Sequence, residues 1–154
     1  MINKGKYFIF IFCAALFFIS INLCEGAGDK DKEEVIKYIK EVAPILTNVD
    51  ITIRNVGFNA LSMKEGAKRI SGCIDQMKLM QCPASMSKQY KMMLLSFKKM
   101  RAGLLLFSIE RKDIAVGLIR NGAQMLKYAA KDIVAIAEKE GLRKGENAPE
   151  QKGK

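Results

Sequence analysis

The sequence predicts an all-α protein, an antiparallel helical bundle of three long or four helices after an N-terminal signal segment. Three observations predict it. From Val35 the apolar residues recur in alternating steps of four and three (Val35, Ile39, Val42, Leu46, Val49, Ile53, Val56, Ala60, Met63, Ala67, Ile70, Ile74, Met77), six heptads in one phase. The β-branched stretch VDITIRNV obeys the same heptad, so no strand pattern competes with it. Two further helical series follow, separated by links too short for anything but antiparallel neighbours.

Residues 1–28 come first. Lys4 and Lys6 lead an apolar run from Tyr7 to Leu23, followed by small and then charged residues, the three-part layout of a secretory signal. Retention as a membrane anchor is the competing reading, because the run approaches the roughly 20 residues that span a bilayer. Ser20, Asn22 and Gly26-Ala27-Gly28 weaken it. Cleavage after Gly26 or Gly28 leaves small residues where a signal peptidase reads them. Cys24 is a candidate for lipidation, although Asn22 and Leu23 fit that signal poorly.

Residues 29–140 are expected to form one helical bundle domain, a length that supports a single modest core. Two features divide its first half. Pro44 lacks the N–H that would bond back four residues, which predicts a kink near Lys40. Ser62-Met63-Lys64-Glu65 has the form of a capping box, which predicts a break or bend near residues 58–62, while the unbroken heptad phase favours one continuous helix.

Pro83 and its neighbouring serines end the second segment. Met86, Tyr90, Met93, Phe97, Met100, Leu104 and Phe107 then form the seam of a third helix. Leu94, Leu95, Leu105 and Leu106 lie beside or behind that seam, and Leu95 and Leu106 are candidates for a partner face or a homo-oligomer contact. Lys98, Lys99 and Arg101 rule out a membrane span in this helix.

Glu110-Arg111-Lys112-Asp113 is expected to be a short turn with Asp113 as N-cap. The fourth seam is Val116, Ile119, Ala123, Leu126, Ala130, Ile133 and Ala137, with Gly117, Gly122, Ala123, Ala129 and Ala130 small enough to admit a close neighbouring backbone. Gly141 closes this helix, and residues 141–154 carry no apolar period and are expected to be a flexible basic tail. The layout is similar to that of exported helical-bundle proteins of bacteria, in its leader, its heptad region, the Cys82-Pro83 corner and a closing helical hairpin. That resemblance implies no activity.

Charge bounds the partner. Of 26 basic and 16 acidic residues the leader takes Lys4, Lys6 and Glu25, so 24 stand against 15 in the remainder. Between Met86 and Lys131 ten bases (Lys88, Lys91, Lys98, Lys99, Arg101, Arg111, Lys112, Arg120, Lys127, Lys131) face only Glu110 and Asp113. This density predicts attraction to an anionic membrane surface, an anionic envelope polymer or an acidic protein, with Lys88, Lys91, Lys98, Lys99, Arg101, Arg111, Lys112 and Arg120 as the contact set, and a helical protein is the other partner expected. The bland reading is that the lysines solvate outer helix faces. Nucleic acid is not expected, because no basic helix carries base-reading polar residues in series.

The chain has no histidine, which excludes imidazole-based triads, His-ligated zinc and His-ligated haem. No glycine-rich phosphate loop occurs, and Asp50, Asp75, Asp113 and Asp132 form no acid and base pattern. No enzyme and no cofactor are therefore expected. The stretch CIDQMKLMQCP leaves two chemistries open. In an oxidising compartment Cys73 and Cys82 are expected to form a disulfide, which requires the helix to end near Met77–Met80, because nine helical steps of about 13.5 Å exceed disulfide reach. The alternative is a soft-metal site for Cu(I) made by Cys73, Met77, Met80 and Cys82, against which stands the ordinary use of methionine as core filler.

Overall fold

The computed structural model describes residues 30–139, and among them every regular element is helical: α1 (Lys30–Gly57), α2 (Met63–Leu79), a single 3-10 turn (Ala84–Met86), α3 (Ser87–Ser108) and α4 (Lys112–Lys139). The signal segment, Cys24, the closing Gly141 and the basic tail lie outside the described residues.

Helix α1 begins with Asp31 and Glu33 and ends with Arg54, charges that oppose the partial charges of its two ends. It continues through Pro44 as helix. Pro44 and Lys40 are both exposed, on the side of α1 where water can replace the backbone bond that a proline removes. The expected interruption comes later. Asn59 adopts a left-handed conformation (φ 59°), and the Asn55 carbonyl accepts from the Ala60 and Leu61 N–H groups at 2.8 and 3.1 Å. Ser62 then caps α2, its hydroxyl accepting from the Glu65 N–H at 3.1 Å. The Glu65 carboxylate pairs with Arg69 at 3.7 Å. The expected stripe is buried on either side of the turn, at Val49, Ile53 and Val56 before it and at Ala67, Ile70, Ile74 and Met77 after it, but not within it: Ala60 is exposed and Met63 half-buried, because the left-handed Asn59 interrupts the helix there.

Helix α2 ends at Leu79, where Met80 turns extended and its N–H bonds the Met77 carbonyl at 3.3 Å. Gln81, Cys82 and Pro83 cross to the next helix. Met86 in the 3-10 turn and Met93, Phe97, Met100 and Leu104 in α3 are fully buried, whereas Tyr90 and Phe107 at the edges of the seam are half-buried. Glu110 is left-handed (φ 66°), the Arg111 N–H returns to the Leu106 carbonyl at 3.0 Å, and the Arg111 carbonyl accepts from Ala115 at 3.0 Å. α4 therefore starts at Lys112. Asp113 is not the N-cap; it sits inside the first turn, where its charge still favours the positive end of the helix.

Consecutive helices run antiparallel. A Cβ built on Gly66 of α2 would meet Val56 of α1 at 2.5 Å and Leu104 of α3 at 3.3 Å, which brings the end of α1, the start of α2 and the end of α3 together. The closest pairing is α3 with α4. A Cβ on Gly103 would stand 2.6 Å from Ile119 Cγ1 and 2.8 Å from the Ala115 carbonyl oxygen, and one on Gly122 would stand 2.8 Å from the Ser96 carbonyl oxygen. This approach rotates α4 slightly from its expected seam: Ala115 and Gly122 are buried where Val116 and Ala123 were expected, and Val116 and Ala123 are half-buried. Gly117 faces open space.

Candidate functional site

Bases line the outer side of α3. A helix turns 100° per residue, which sets Lys88, Lys91, Lys98 and Lys99 on the side opposite Met93, Phe97, Met100 and Leu104. Leu95 and Leu105 stand on this outward strip among the lysines, and both are exposed. Leu106, the other expected partner-face residue, is half-buried. The sequence KQYKMMLLSFKKMRAGLLLFS contains five bases and no acid, so within α3 nothing neutralises the strip.

Neighbouring helices offer it little. Lys88 reaches Asp132 of α4 at 3.9 Å, an exposed pair of small energetic weight, and Lys99 donates to the Asn121 side-chain oxygen at 2.7 Å. Arg101, Arg111, Lys112 and Arg120 are exposed on α3, on the α3–α4 turn and on α4. Within α4 Arg120 shares one outward side with Lys127 and Lys131. Of the eight expected contact residues, seven are exposed and Lys99 is half-buried.

The sulfur-rich corner is built differently from its expectation. In this structure Cys73 and Cys82 are unbridged, where a disulfide was expected. Cys73 sits within the continuous part of α2 on its buried stripe, between Ile70 and Met77. Cys82 lies beyond the helix end, half-buried, with its thiol directed at the Pro83 carbonyl oxygen (3.4 Å) and beside the Tyr38 hydroxyl of α1. α2 does end close to where a bridge required, yet Cys82 turns toward α1.

Tyr38 is 1% exposed and its hydroxyl makes no well-directed hydrogen bond. Burial pushes its ionisation well above the ordinary tyrosine range, and Cys82 and Tyr90 push in the same direction. Burial also raises both thiols, although the contact with Tyr38 partly offsets this at Cys82. Thiolate chemistry, whether nucleophilic or metal-ligating, is thus disfavoured near neutral pH. Met77 is fully buried in the core while Met80 and Cys82 stand at its margin. Among the described residues no three Cys, Asp or Glu side chains gather as a metal-binding group.

One acidic group is buried with a partner. Asp50, 6% exposed, pairs with Arg54 one turn later at 2.6 Å, and its second oxygen has no hydrogen bond. An ion pair inside one helix of this kind holds a charge at the edge of the core.

No family model matches this chain, and no curated protein and no solved structure similar to it was found. The functional reading therefore rests on the surfaces just described. Sequence pattern located the basic strip of α3. It missed the buried Tyr38 hydroxyl and the exposed Phe58, Ile109 and Ile114 in and beside the turns. Tyr38 follows Val35 by three residues on the helical period, a spacing that would have signalled it.

Proposed function

We propose that this chain is an exported, non-enzymatic helical-bundle protein of the cell envelope, an interaction module that binds an anionic component, either a membrane surface or an envelope polymer. The carrying observation is that α3 exposes Lys88, Lys91 and Lys98 along one side with no acidic residue in the helix. Polyanions concentrate near such a surface, and each lysine close to anionic lipid contributes about 1 kcal/mol. The protein reaches the membrane face as an exported molecule, or stays attached there where Cys24 is lipidated or the leader is retained. No helix among the described residues is long and apolar enough to cross a membrane.

Binding to phosphatidylglycerol vesicles and to isolated wall polymer across a salt series tests this reading. Affinity is expected to fall steeply as salt shortens the screening length to about 8 Å at physiological ionic strength and below that at higher salt. Binding to neither polyanion at low salt, or tight binding indifferent to salt, contradicts it.

A further inference from the structure

One end of the bundle carries two turns built by the same device. In each, an apolar residue is followed at once by a left-handed residue that reverses the chain: Phe58 before Asn59 (φ 59°) and Ile109 before Glu110 (φ 66°). The contacts around Gly66 bring the end of α1 to the end of α3, so both turns share this end. The reversal leaves the apolar side chains outside the core: Phe58 is 78% exposed, Ile109 66%, and Ile114, in the first turn of α4, 44%. Lys64, Arg111 and Lys112 stand exposed beside them, with Glu110 and Asp113 as the exposed acids, while Glu65 is paired with Arg69.

We propose that this end of the bundle inserts shallowly into an anionic phospholipid bilayer, with Phe58, Ile109 and Ile114 entering the acyl boundary and Lys64, Arg111 and Lys112 at the phosphates. The inference rests on the anionic-surface reading above and names lipid as the partner. Two features select lipid. The apolar residues sit in or beside the two turns, and charged residues adjoin them in the chain: Lys64 follows the first turn, and Glu110, Arg111, Lys112 and Asp113 stand between Ile109 and Ile114. A bilayer interface accepts such a tip, taking the apolar groups while long basic side chains reach back to the headgroups. A protein partner would have to offer a cavity for each. The tip also continues the α3 strip, since Leu105 and Ile109 fall on the same outward side as Lys91 and Lys98. One molecule therefore presents basic side and apolar tip to the same membrane.

The chain contains no tryptophan, so one introduced residue reports its own surroundings. Phe58→Trp labels the tip, and Leu79→Trp labels the opposite end, where α2 finishes with Leu79 86% exposed. With phosphatidylglycerol vesicles carrying brominated acyl chains, Phe58→Trp emission is expected to shift blue and be quenched, and Leu79→Trp emission to do neither. The double variant Phe58→Ser/Ile109→Ser, checked for native helix content, is expected to partition about tenfold or more weakly. Co-sedimentation with vesicles while Phe58→Trp stays unshifted overturns insertion and leaves the electrostatic reading standing. Equal quenching of both reporters also overturns it. Failure to co-sediment at low salt overturns insertion, and binding to wall polymer in the same preparation then shows that the anionic-surface reading survives without lipid.

Discussion

The Ser96 hydroxyl donates a 2.6 Å hydrogen bond to the Gly122 carbonyl across the α3–α4 interface, with Ser96 fully buried. That bond exists only because the two backbones approach closely, and Gly103 and Gly122 are the residues that let them. Small residues facing one another let the two helices of the closing hairpin pack closely, while methionines fill the centre.

Two glycines of α4 should respond oppositely to alanine. At Gly122 a methyl group would press on the Ser96 carbonyl oxygen at 2.8 Å and on Met100 Cγ at 2.7 Å, and the backbone cannot yield. Gly122→Ala is expected to lose about 1–3 kcal/mol despite its better helix propensity. Gly117 meets nothing within 4 Å, so Gly117→Ala is expected to gain up to about 1 kcal/mol. Urea unfolding of the two variants checks the contrast; equal effects would contradict the packing described for this interface.

Breaking the Asp50–Arg54 pair should be costly from one side only. Arg54→Met leaves a buried carboxylate without its cation, and a loss of about 2 kcal/mol is expected. The double variant Asp50→Leu/Arg54→Met is expected to recover most of that loss, because both charges are then gone. A double-mutant cycle by thermal unfolding tests it. Equal losses from the single and the double change would show that the pair matters little.

Alkaline pH should weaken the fold. Cys73, Cys82 and Tyr38 are all held above their ordinary values, so each favours its neutral form more when folded than when unfolded. Their contribution is complete below the unfolded thiol value near 9.0 and is lost as pH rises beyond it, since the unfolded chain then releases protons first. Tyr38→Phe, which removes a hydroxyl with no well-directed hydrogen bond, is expected to change stability at pH 7 by less than about 1 kcal/mol and to lessen the loss above pH 10. A stability-against-pH curve that is flat from 8 to 11 would contradict this.

The two thiols should differ in access. Cys82 is half-buried and Cys73 is 6% exposed, so a reduced sample is expected to be alkylated first at Cys82, more slowly than an unfolded control. Mass spectrometry of the untreated and alkylated protein checks this. A mass two hydrogens short, with no alkylation, would show that Cys73 and Cys82 are bridged.

Much of the helical order was legible because period and caps agree. Apart from Ala60 and Met63 at the turn, the heptad from Val35 to Met77 marks the buried stripe of α1 and α2, and Ser62 marks the point at which it restarts. The phase alone did not reveal the turn, since residues 58–62 carry the heptad across a left-handed Asn59. Asp113 was misplaced as a cap because the αL residue Glu110 tightens the α3–α4 turn and starts the helix early. Gly103 gives no signal in the sequence, as a glycine acquires meaning only when the neighbouring helix is known to press on it. For the candidate surface, the α3 lysines were visible as a run. The Phe58 and Ile109 tip was not, because it depends on two turns distant in sequence meeting at one end of the bundle.

Under the proposed function the acid-free side of α3 carries the attraction to an anionic surface. Vesicle co-sedimentation of Lys91→Glu/Lys98→Glu beside Lys37→Glu/Lys40→Glu, the latter an equal charge reversal on exposed positions of α1, tests it most directly. The α3 pair is expected to lower affinity at low salt by about tenfold or more and the α1 pair by much less. Equal loss from both pairs, or none from the α3 pair, would contradict it.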